Sequence, residues 1–350
     1  MSDFVTDFLA IIGVVLNGLP QGLLALTFGF ASIPTAFAFL VGAIGNLITG
    51  SVAPISFQAE TITYAGTAGK DMKERLSMIF FGAAIMTLIG MFGFLSRIID
   101  FVGPTITSGM MAGVGIMLAK VSMDMLKSDN KVSAVSLVSA VIVYFATNDL
   151  VLTITISVAL SSIVANMLNK EMRNVKIPKE KIEKKKFIFN LRILRGALGM
   201  VCLNIGSNIA FGQITGSMAN TNVNIDYLSV ISSIADMGSA LFGGAPVESI
   251  ISATGSAPHP LAAGVIMMLI MAAILFFGLL PKIGKYVPSQ SISGFLFVLG
   301  ILVTLPGNAA SALAGSDSLV GGVTMGVTAI TDPFLGMLAG IITRFAQVLF

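Results

Sequence analysis

Two acidic residues and a helix-breaking stretch lie close together in an otherwise apolar segment of the chain. Asp236 and Glu248 flank the run Gly243-Gly244-Ala245-Pro246, within residues 235–255. An ionised carboxylate at membrane depth costs about 3 kcal/mol or more, so such residues are expected to face protein or a polar cavity. The sequence predicts that a helix breaks at Gly243–Pro246 and restarts at Val247. The new N-terminus would direct unpaired N–H groups and its positive dipole end into a cavity.

A second copy of this pattern occurs in the first half of the chain. The matched positions are Gly45 with Gly238, Gly50 with Gly243, Pro54 with Pro246, and Ser56 with Glu248. The glycine pairs are 193 residues apart (238 − 45 and 243 − 50), and the other two pairs are 192 apart (246 − 54 and 248 − 56). Gly/Pro-interrupted hydrophobic segments at corresponding places in two halves of a membrane protein are typical of a transporter's substrate site.

Glu248 is the strongest side-chain candidate for contact with a substrate. A carboxylate beside free backbone N–H groups offers acceptors and donors together. The alternative is a buried glutamate that caps the first turn of its own helix. The backbone of Ala53–Ile55 and Ala245–Val247 is expected to be accessible whatever the side chains, because broken helices expose their amides. Ser56 could hydrogen-bond a substrate, and Phe57 could stack on a planar substrate or simply pack in the core.

Amide and carboxyl groups on neighbouring segments complete the candidate set. Asn204 and Asn208 are four residues apart on one helix face, where they could contact substrate or hydrogen-bond between helices. Asp236 could couple transport to an ion or pair with a backbone donor, and Glu60 could couple an ion or face a vestibule. The substrate-binding candidates are Glu248, Val247, Pro246, Ser249, Ile55, Ser56, Phe57, Asn204 and Asn208, and the ion-coupling candidates are Glu248, Asp236 and Glu60.

The composition indicates a polytopic membrane protein. Of 350 residues, 55% are hydrophobic and only 11% are charged, and the mean hydropathy is +0.94; soluble domains carry about 25% charged residues. One cysteine, Cys202, and one histidine, His259, exclude a disulfide framework and a His- or Cys-cluster metal site, and no cofactor is expected. His259 is expected in a loop rather than in a proton relay. The sequence has no P-loop, nucleophile–base pair or nucleic-acid-binding signature, so neither an enzyme nor a nucleic-acid partner is expected.

The hydrophobic runs predict an all-α polytopic protein with about 14 transmembrane segments. At about 20 residues per span, they fall near 5–28, 32–50, 53–69, 76–98, 104–126, 132–147, 150–168, 193–216, 225–242, 247–258, 261–280, 289–305, 309–330 and 333–350. Residues 1–168 and 191–350 then form two repeats of seven segments, joined by a basic linker at 169–190. Because seven is odd, the second repeat inserts upside down, with segments 3 and 10 broken and facing each other at mid-membrane.

Positive charges are concentrated on one side of this predicted topology. The loop Lys170–Lys186 contains eight Lys or Arg residues, whereas the N-terminal tail contains Asp3 and Asp7 and no basic residue. The positive-inside rule therefore places the loop in the cytoplasm and both termini outside. The loop itself is expected to lie along the lipid surface as a linker between the two repeats.

Three motifs extend the comparison to known proteins. They are Ala112-Gly-Val-Gly-Ile-Met-Leu118 after Pro104, Ala235-Asp236 leading to Gly-Gly and Glu248-Ser249, and Val287-Pro288 followed by Gly294-Phe-Leu-Phe-Val-Leu-Gly300. Together they resemble the xanthine/uracil permease (nucleobase–cation symporter) family, especially its hypoxanthine/guanine permease branch. The resemblance implies a core domain from segments 1–4 and 8–11, a gate domain from segments 5–7 and 12–14, and short extended strands before the third and tenth helices.

The function implied by this resemblance is secondary active transport of nucleobases in a bacterial plasma membrane. Purines such as hypoxanthine, guanine or xanthine are expected rather than uracil, with Glu248 as the substrate glutamate and alternating access of the core domain against the gate domain. The family also implies a homodimer through the gate domain and cytoplasmic termini, contrary to the charge distribution. Asn204 stands on the eighth segment where the family has a carboxylate, which leaves proton coupling open.

Two alternatives remain at this stage. One is an anion carrier of the sulphate-permease type, which has the same architecture but usually lacks an acid on the tenth segment, so Glu248 counts against it. The other is a channel, because broken helices also build channels.

Overall fold

A computed structural model describes residues 3–168, 182–284 and 287–349, with side chains throughout except at 151, 207–210, 283–284, 289 and 348–349. The α-helices are α1 (Asp3–Thr27), α2 (Ser32–Thr49), α3 (Ala59–Ala68), α4 (Met72–Met91), α5 (Leu95–Ser128), α6 (Asn130–Thr147), α7 (Leu150–Met167), α8 (Leu191–Met218), α9 (Ile225–Phe242), α10 (Pro260–Phe276), α11 (Leu279–Gly284), α12 (Ser293–Phe297), α13 (Leu305–Ala312), α14 (Ser318–Ile330) and α15 (Pro333–Leu349). Two short strands, β1 (Ile55–Ser56) and β2 (Glu248–Ser249), form an antiparallel pair. Short 3₁₀ helices occupy Ala253–Ser256 and Ser289–Ile292, and a π-helical stretch, Val298–Thr304, joins α12 to α13.

Within the described ranges, eight helical segments are long and apolar enough to cross a membrane. They are α1, α2, α4, α5, α6, α8, α9 and the segment Gln290–Ala312, and shorter apolar helices occupy Leu152–Met167, Pro260–Phe276 and Ser318–Ile330. The prediction of a mostly helical, multi-pass membrane protein is therefore confirmed. The predicted tenth segment, 247–258, is wrong as a helical span, because it contains β2 and a single 3₁₀ turn instead of an α-helix.

Helix ends coincide with residues that satisfy the terminal backbone groups. Asp71, Asp149 and Asn190 each accept a hydrogen bond from a first-turn N–H of the helix that follows them, as N-cap residues do. Gly50 ends α2 and Gly243 ends α9, with φ of 69° and 98°. This left-handed backbone strains any residue with a Cβ, so the two matched glycines perform the same termination in each half.

The helix α5 is interrupted where the predicted fourth and fifth segments divide. Gly103 has φ 77° and ψ 162°, and Pro104 follows it, so the residues on either side are separate helical pieces. Arg344 of α15 donates from Nη1 to the Val102 carbonyl at 2.9 Å and also bonds the Phe101 carbonyl. The guanidinium thereby satisfies carbonyls that the break leaves without a helical partner.

The described residues divide into two compact units. Unit 1 takes its residues from Met1–Ser96 and Asn174–Tyr286, and unit 2 takes its residues from Arg97–Arg173 and Val287–Phe350. Unit 1 contains α1–α4, α8–α11 and both strands. Its interior packs Phe39 edge-to-face on Phe57, with ring centroids 5.3 Å apart.

Unit 2 is packed through small and hydroxylated residues. Ser136 on α6 donates to the Ser291 carbonyl at 2.6 Å, and Ser122 on α5 donates to the Ser293 carbonyl at 2.8 Å. A Cβ added to Gly294 would lie only 2.1 Å from the Ser136 carbonyl oxygen. Close backbone approach and interhelical hydrogen bonds of this kind hold membrane helices together.

Candidate functional site

The chain leaves α9 in an extended conformation, and the helix restart predicted at Val247 does not occur. Four N–H groups along this stretch have acceptors other than the i−4 carbonyl that a continuing helix would supply. The donors and acceptors are Gly244 N–H to Ser239 O at 2.8 Å, Ala245 N–H to Thr35 Oγ1 at 2.8 Å, Val247 N–H to Asp236 Oδ1 at 2.6 Å, and Ile250 N–H to Pro54 O at 3.4 Å. Pro246 has no N–H to contribute. The backbone therefore remains extended until the 3₁₀ helix at Ala253.

The two breaks meet in the antiparallel pair of β1 and β2. Ile55 lies opposite Ser249, and Ser56 lies opposite Glu248, as the alignment of the two halves anticipates. After β1 the chain enters α3 at Ala59, whose N–H donates to Gln21 Oε1 on α1 at 2.8 Å. The strand pair thus brings the candidate residues of both halves into one place inside unit 1.

A pair of buried carboxyl groups lies beside the strand pair. Glu248 is 1% exposed and Asp236 is 2% exposed. Asn204 Nδ2, on α8, is 2.7 Å from both Oε1 and Oε2 of Glu248. The carboxyl groups of Asp236 and Glu248 lie close enough to interact electrostatically, and Asp236 Oδ1 accepts from the Val247 N–H at 2.6 Å. Two buried carboxyl groups that repel each other favour a state with one shared proton, in which Asp236 would be the protonated member and Glu248 the ionised one.

Two polar side chains hold the extended stretches in place from equivalent positions. Asn46 Nδ2 donates to the Ala53 carbonyl at 2.8 Å, and Ser239 Oγ donates to the Ala245 carbonyl at 2.7 Å. Asn46 and Ser239 are 193 residues apart (239 − 46), and each carbonyl precedes the proline of its break. The sequence analysis missed both residues, although the 193-residue offset between the glycine pairs also aligns them.

Two buried hydrogen-bond donors next to β1 have no partner among the described residues. They are the Ser56 hydroxyl and the Gln58 side-chain nitrogen Nε2. Gln58 Oε1 accepts from Thr61 Oγ1 at 2.5 Å, which orients the amide. Ser56 and Gln58 are two residues apart, and alternate side chains of extended backbone lie on one face. The sequence analysis missed Gln58, which this period of two from Ser56 indicates.

The remaining predicted site residues fall into three groups. Ile55, Phe57, Pro246, Val247 and Ser249 are buried in unit 1, and Phe57 packs on Phe39 rather than presenting a free ring face. Glu60 is buried in the first turn of α3. Asn208 belongs to α8, but its side chain is outside the described set, as is most of the loop 170–186.

His259 forms a contact with Asp7 at the surface of unit 1. His259 is exposed in front of α10, and its Nδ1 lies 2.8 Å from Asp7 Oδ2. This side-chain hydrogen bond, helped by the negative charge of Asp7, raises the pKa of His259 above 6.5. Among the residues whose side chains the structure describes, no group of three or more His, Cys, Asp or Glu could hold a metal ion.

Comparison with solved structures decides the fold. The transmembrane domain of the bicarbonate transporter BicA from a cyanobacterium matches with a TM-score of 0.70 and 14% identity, over 97% of this chain and 98% of that chain. SLC26A9 matches with a TM-score of 0.71 and 12% identity, over 99% of this chain and 65% of that chain. The chain has the fold of these transporters. The murine Slc26a9 anion transporter in the inward-facing state gives the same TM-score and identity, over 99% and 68% of the two chains.

No family profile matches the sequence, and no curated protein sequence matches it. The resemblance to xanthine/uracil permeases is therefore wrong, and so are the nucleobase substrate, the purine preference and the symporter role drawn from it, since the structural neighbours are anion transporters. The physical reason lies in the motifs. Gly243 and Pro246 terminate a helix and lead into a strand, so they report an architecture and carry no information on the ligand.

Proposed function

We propose that this protein is a membrane carrier of a small anion, with the binding site beside the strand pair of unit 1. The observation that carries the proposal is the pair of buried donors, Ser56 Oγ and Gln58 Nε2, that find no acceptor among the described residues. A buried donor without a partner costs free energy comparable to a lost hydrogen bond, and a small anion supplies acceptors for both. The anion transporters with the same fold support the same class of substrate.

Charge compensation has to come from the carboxyl pair. A buried anion beside two ionised carboxylates would meet strong like-charge repulsion. One proton shared by Asp236 and Glu248 removes one of the two negative charges, and Asn204 spreads the remaining one. We therefore assign Asp236 and Glu248 as the ion-coupling residues, with anion binding favoured when the pair is protonated. Glu60, buried on α3 nearby in the chain, is the third candidate for this role.

The repeat architecture is part of the proposal. We propose a 7+7 inverted repeat with the repeats at 1–168 and 191–350 joined by the linker 169–190, in which unit 1 is the core domain and unit 2 is the gate domain. The division of the helices between the two units supports it, as do the paired glycine caps and the paired carbonyl contacts of Asn46 and Ser239. The remaining residues that we propose to line the site are Ile55, Phe57, Asn204, Asn208, Pro246, Val247, Glu248 and Ser249.

The test is anion uptake by proteoliposomes. Purified protein would be reconstituted, and uptake of radiolabelled bicarbonate, sulphate and chloride measured against protein-free vesicles. We expect saturable uptake of at least one anion that is faster at lower pH. Saturable uptake of neutral solutes with no anion transported would overturn the proposal, and so would ohmic anion conductance without saturation.

Variants of Ser56, Gln58 and Asp236 test which residues bind the anion and which one carries the proton. Ser56→Ala and Gln58→Leu each remove one donor to a charged ligand, worth about 1.5–3 kcal/mol, so KM should rise about 10- to 100-fold with little change in folding. Asp236→Asn keeps both a donor toward Glu248 and an acceptor for the Val247 N–H. It should therefore transport with reduced pH dependence. An unchanged KM in both donor variants would exclude this position as the anion site.

A further inference from the structure

An apolar groove opens on the surface of unit 1 between α2 and α9. Its volume is about 360 Å³, and its lining residues are Pro34, Phe37, Ala38, Val41, Ile182, Ala235, Gly238, Ser239 and Phe242. The groove follows 34–41 on one helix and 235–242 on the other. Seven residue steps of a helix span roughly 10 Å, so the groove is a slot of about that length along the two helices. Its apolar lining suits a hydrocarbon chain.

One end of the groove is marked by positive charge. The chain segment 182–190, which we term the basic strap, supplies Ile182 to the groove wall and then passes the end of α9. The Lys185 N–H donates to the Leu241 carbonyl at 2.8 Å. Its Cε lies 3.0 Å from where a Cβ on Gly243 would be. The Lys185 side chain therefore lies at the same end of α9 as Phe242, with exposed Lys184 and Lys186 on either side of it.

The basic strap is held in this position by its second half. The Phe187 ring stacks on Phe80 of α4 with centroids 4.3 Å apart, and the Phe189 ring contacts Phe81 at 5.0 Å. The Ile188 N–H donates to Ser77 Oγ at 3.0 Å. These contacts fix the three lysines at the groove's end instead of leaving them on a free loop.

We propose that this groove and the basic strap form a binding site for an anionic phospholipid. One acyl chain lies in the slot between α2 and α9, and the phosphate-bearing headgroup contacts Lys184–Lys186. Hydrocarbon alone gives no preference over the bulk bilayer, so selectivity comes from the lysines, at about fivefold per lysine near the surface. No carboxylate among the described residues forms an ion pair with these three lysines, which leaves their charge available to a lipid phosphate.

The experiment measures lipid binding to the purified full chain in detergent by native mass spectrometry. Dioleoyl phosphatidylglycerol and dioleoyl phosphatidylcholine have the same chains, so their comparison isolates the headgroup. We expect phosphatidylglycerol to bind at least tenfold more tightly, and Lys185→Gln/Lys186→Gln to remove most of that difference. The exposed Lys131→Gln on α6 is the matched control and should leave it intact.

A second variant tests the slot itself. A Cβ on Gly238 meets no atom within 4 Å, so the first atom of a side chain is accommodated there and Gly238→Leu extends the rest into the groove. It should lower the affinity for both lipids at least fivefold. Gly326→Leu on α14 has equally open surroundings and should not. Equal affinity of the two lipids for the unmodified protein, or unchanged binding to Gly238→Leu, would overturn the proposal.

The control for folding uses the conservative variant. Lys185→Arg/Lys186→Arg retains both charges and should bind phosphatidylglycerol like the unmodified protein. If these lysines served only to neutralise the carbonyl end of α9, the glutamine variant would lose thermal stability without any change in lipid preference. Binding of soluble glycerol phosphate at the same affinity as the lipid would indicate a headgroup site without the acyl slot, which also contradicts the proposal.

Discussion

The contact between Asn204 and Glu248 offers the sharpest quantitative test of the proposed site. Asn204 Nδ2 lies 2.7 Å from both carboxyl oxygens, in a fully buried setting. A hydrogen bond to a charged group contributes about 1.5–3 kcal/mol, and one between neutral groups about 0.5–1.5 kcal/mol. If Glu248 is the ionised member of the carboxyl pair, removing the amide should cost the larger amount, which is about a 10- to 100-fold change in the folding equilibrium.

The assay is a double-mutant cycle on equilibrium unfolding in mixed detergent micelles. Asn204→Ala, Glu248→Ala and the double variant together give the coupling energy of the pair, free of the cavity that each truncation leaves. We expect a coupling of about 1.5–3 kcal/mol. Asn46→Ala is the matched control, since its amide donates to a neutral carbonyl, Ala53 O, at 2.8 Å, and it should cost less than Asn204→Ala.

The refuting result is a small coupling energy. A value below about 0.5 kcal/mol would mean that Asn204 and Glu248 contribute independently, against the short distances between them. The assignment of the shared proton to Asp236 would then have no support. A cost for Asn46→Ala equal to that for Asn204→Ala would likewise mean that Glu248 carries no charge in the folded protein.

Three further predictions concern stability. Gly244→Ala should destabilise by about 1–3 kcal/mol, because its Cβ would lie 2.2 Å from a serine hydroxyl and 2.8 Å from a backbone nitrogen; Gly238→Ala, in open space, should be neutral or slightly stabilising in the same thermal melts. Gly50→Ala should cost about 1–2 kcal/mol, because φ is 69° there, and unchanged unfolding would contradict the strain argument. The raised pKa of His259 makes protonation stabilising, so its contribution is complete below pH 6.5 and is lost as pH rises through the raised value. Melting temperatures from pH 5.5 to 8.5 should show this loss, and Asp7→Asn or His259→Gln should abolish it.

Much of the architecture is encoded in local patterns of the sequence. Gly50 and Gly243 mark the ends of α2 and α9 because only glycine readily adopts positive φ there. The offset of 192 to 193 residues between matched positions exposes the repeat. The opposition of Ser56 and Glu248 follows from an offset of 192, one residue shorter than the 193 that relates the glycines. At the glycine positions the backbone conformation restricts the residue type, so a single residue in the sequence is enough to predict the local structure.

The rest of the site depends on distant contacts that no local pattern contains. The residues after Val247 are compatible with a helix, but the Val247 N–H donates to Asp236 and the next two residues pair with β1. Tertiary hydrogen bonds therefore override the local preference. In the sequence, Gln58 is an ordinary residue at the start of a helix. Only the structure shows that its side-chain nitrogen Nε2 is buried and has no partner among the described residues. The substrate class expected from the sequence is wrong because glycine and proline motifs describe helix breaks and carry no information on the ligand.

The strand pair also imposes an order on how the protein can be made. The backbone groups of β1 stay without their strand partner until Glu248, about 190 residues later in the chain, has been synthesised. The newly inserted first half consequently holds an open, polar break in the lipid while the ribosome completes the second. At about 5–20 residues per second, that exposure lasts roughly 10–40 seconds. The early half-protein is therefore the stage at which membrane chaperones and quality-control proteases have their best opportunity to act.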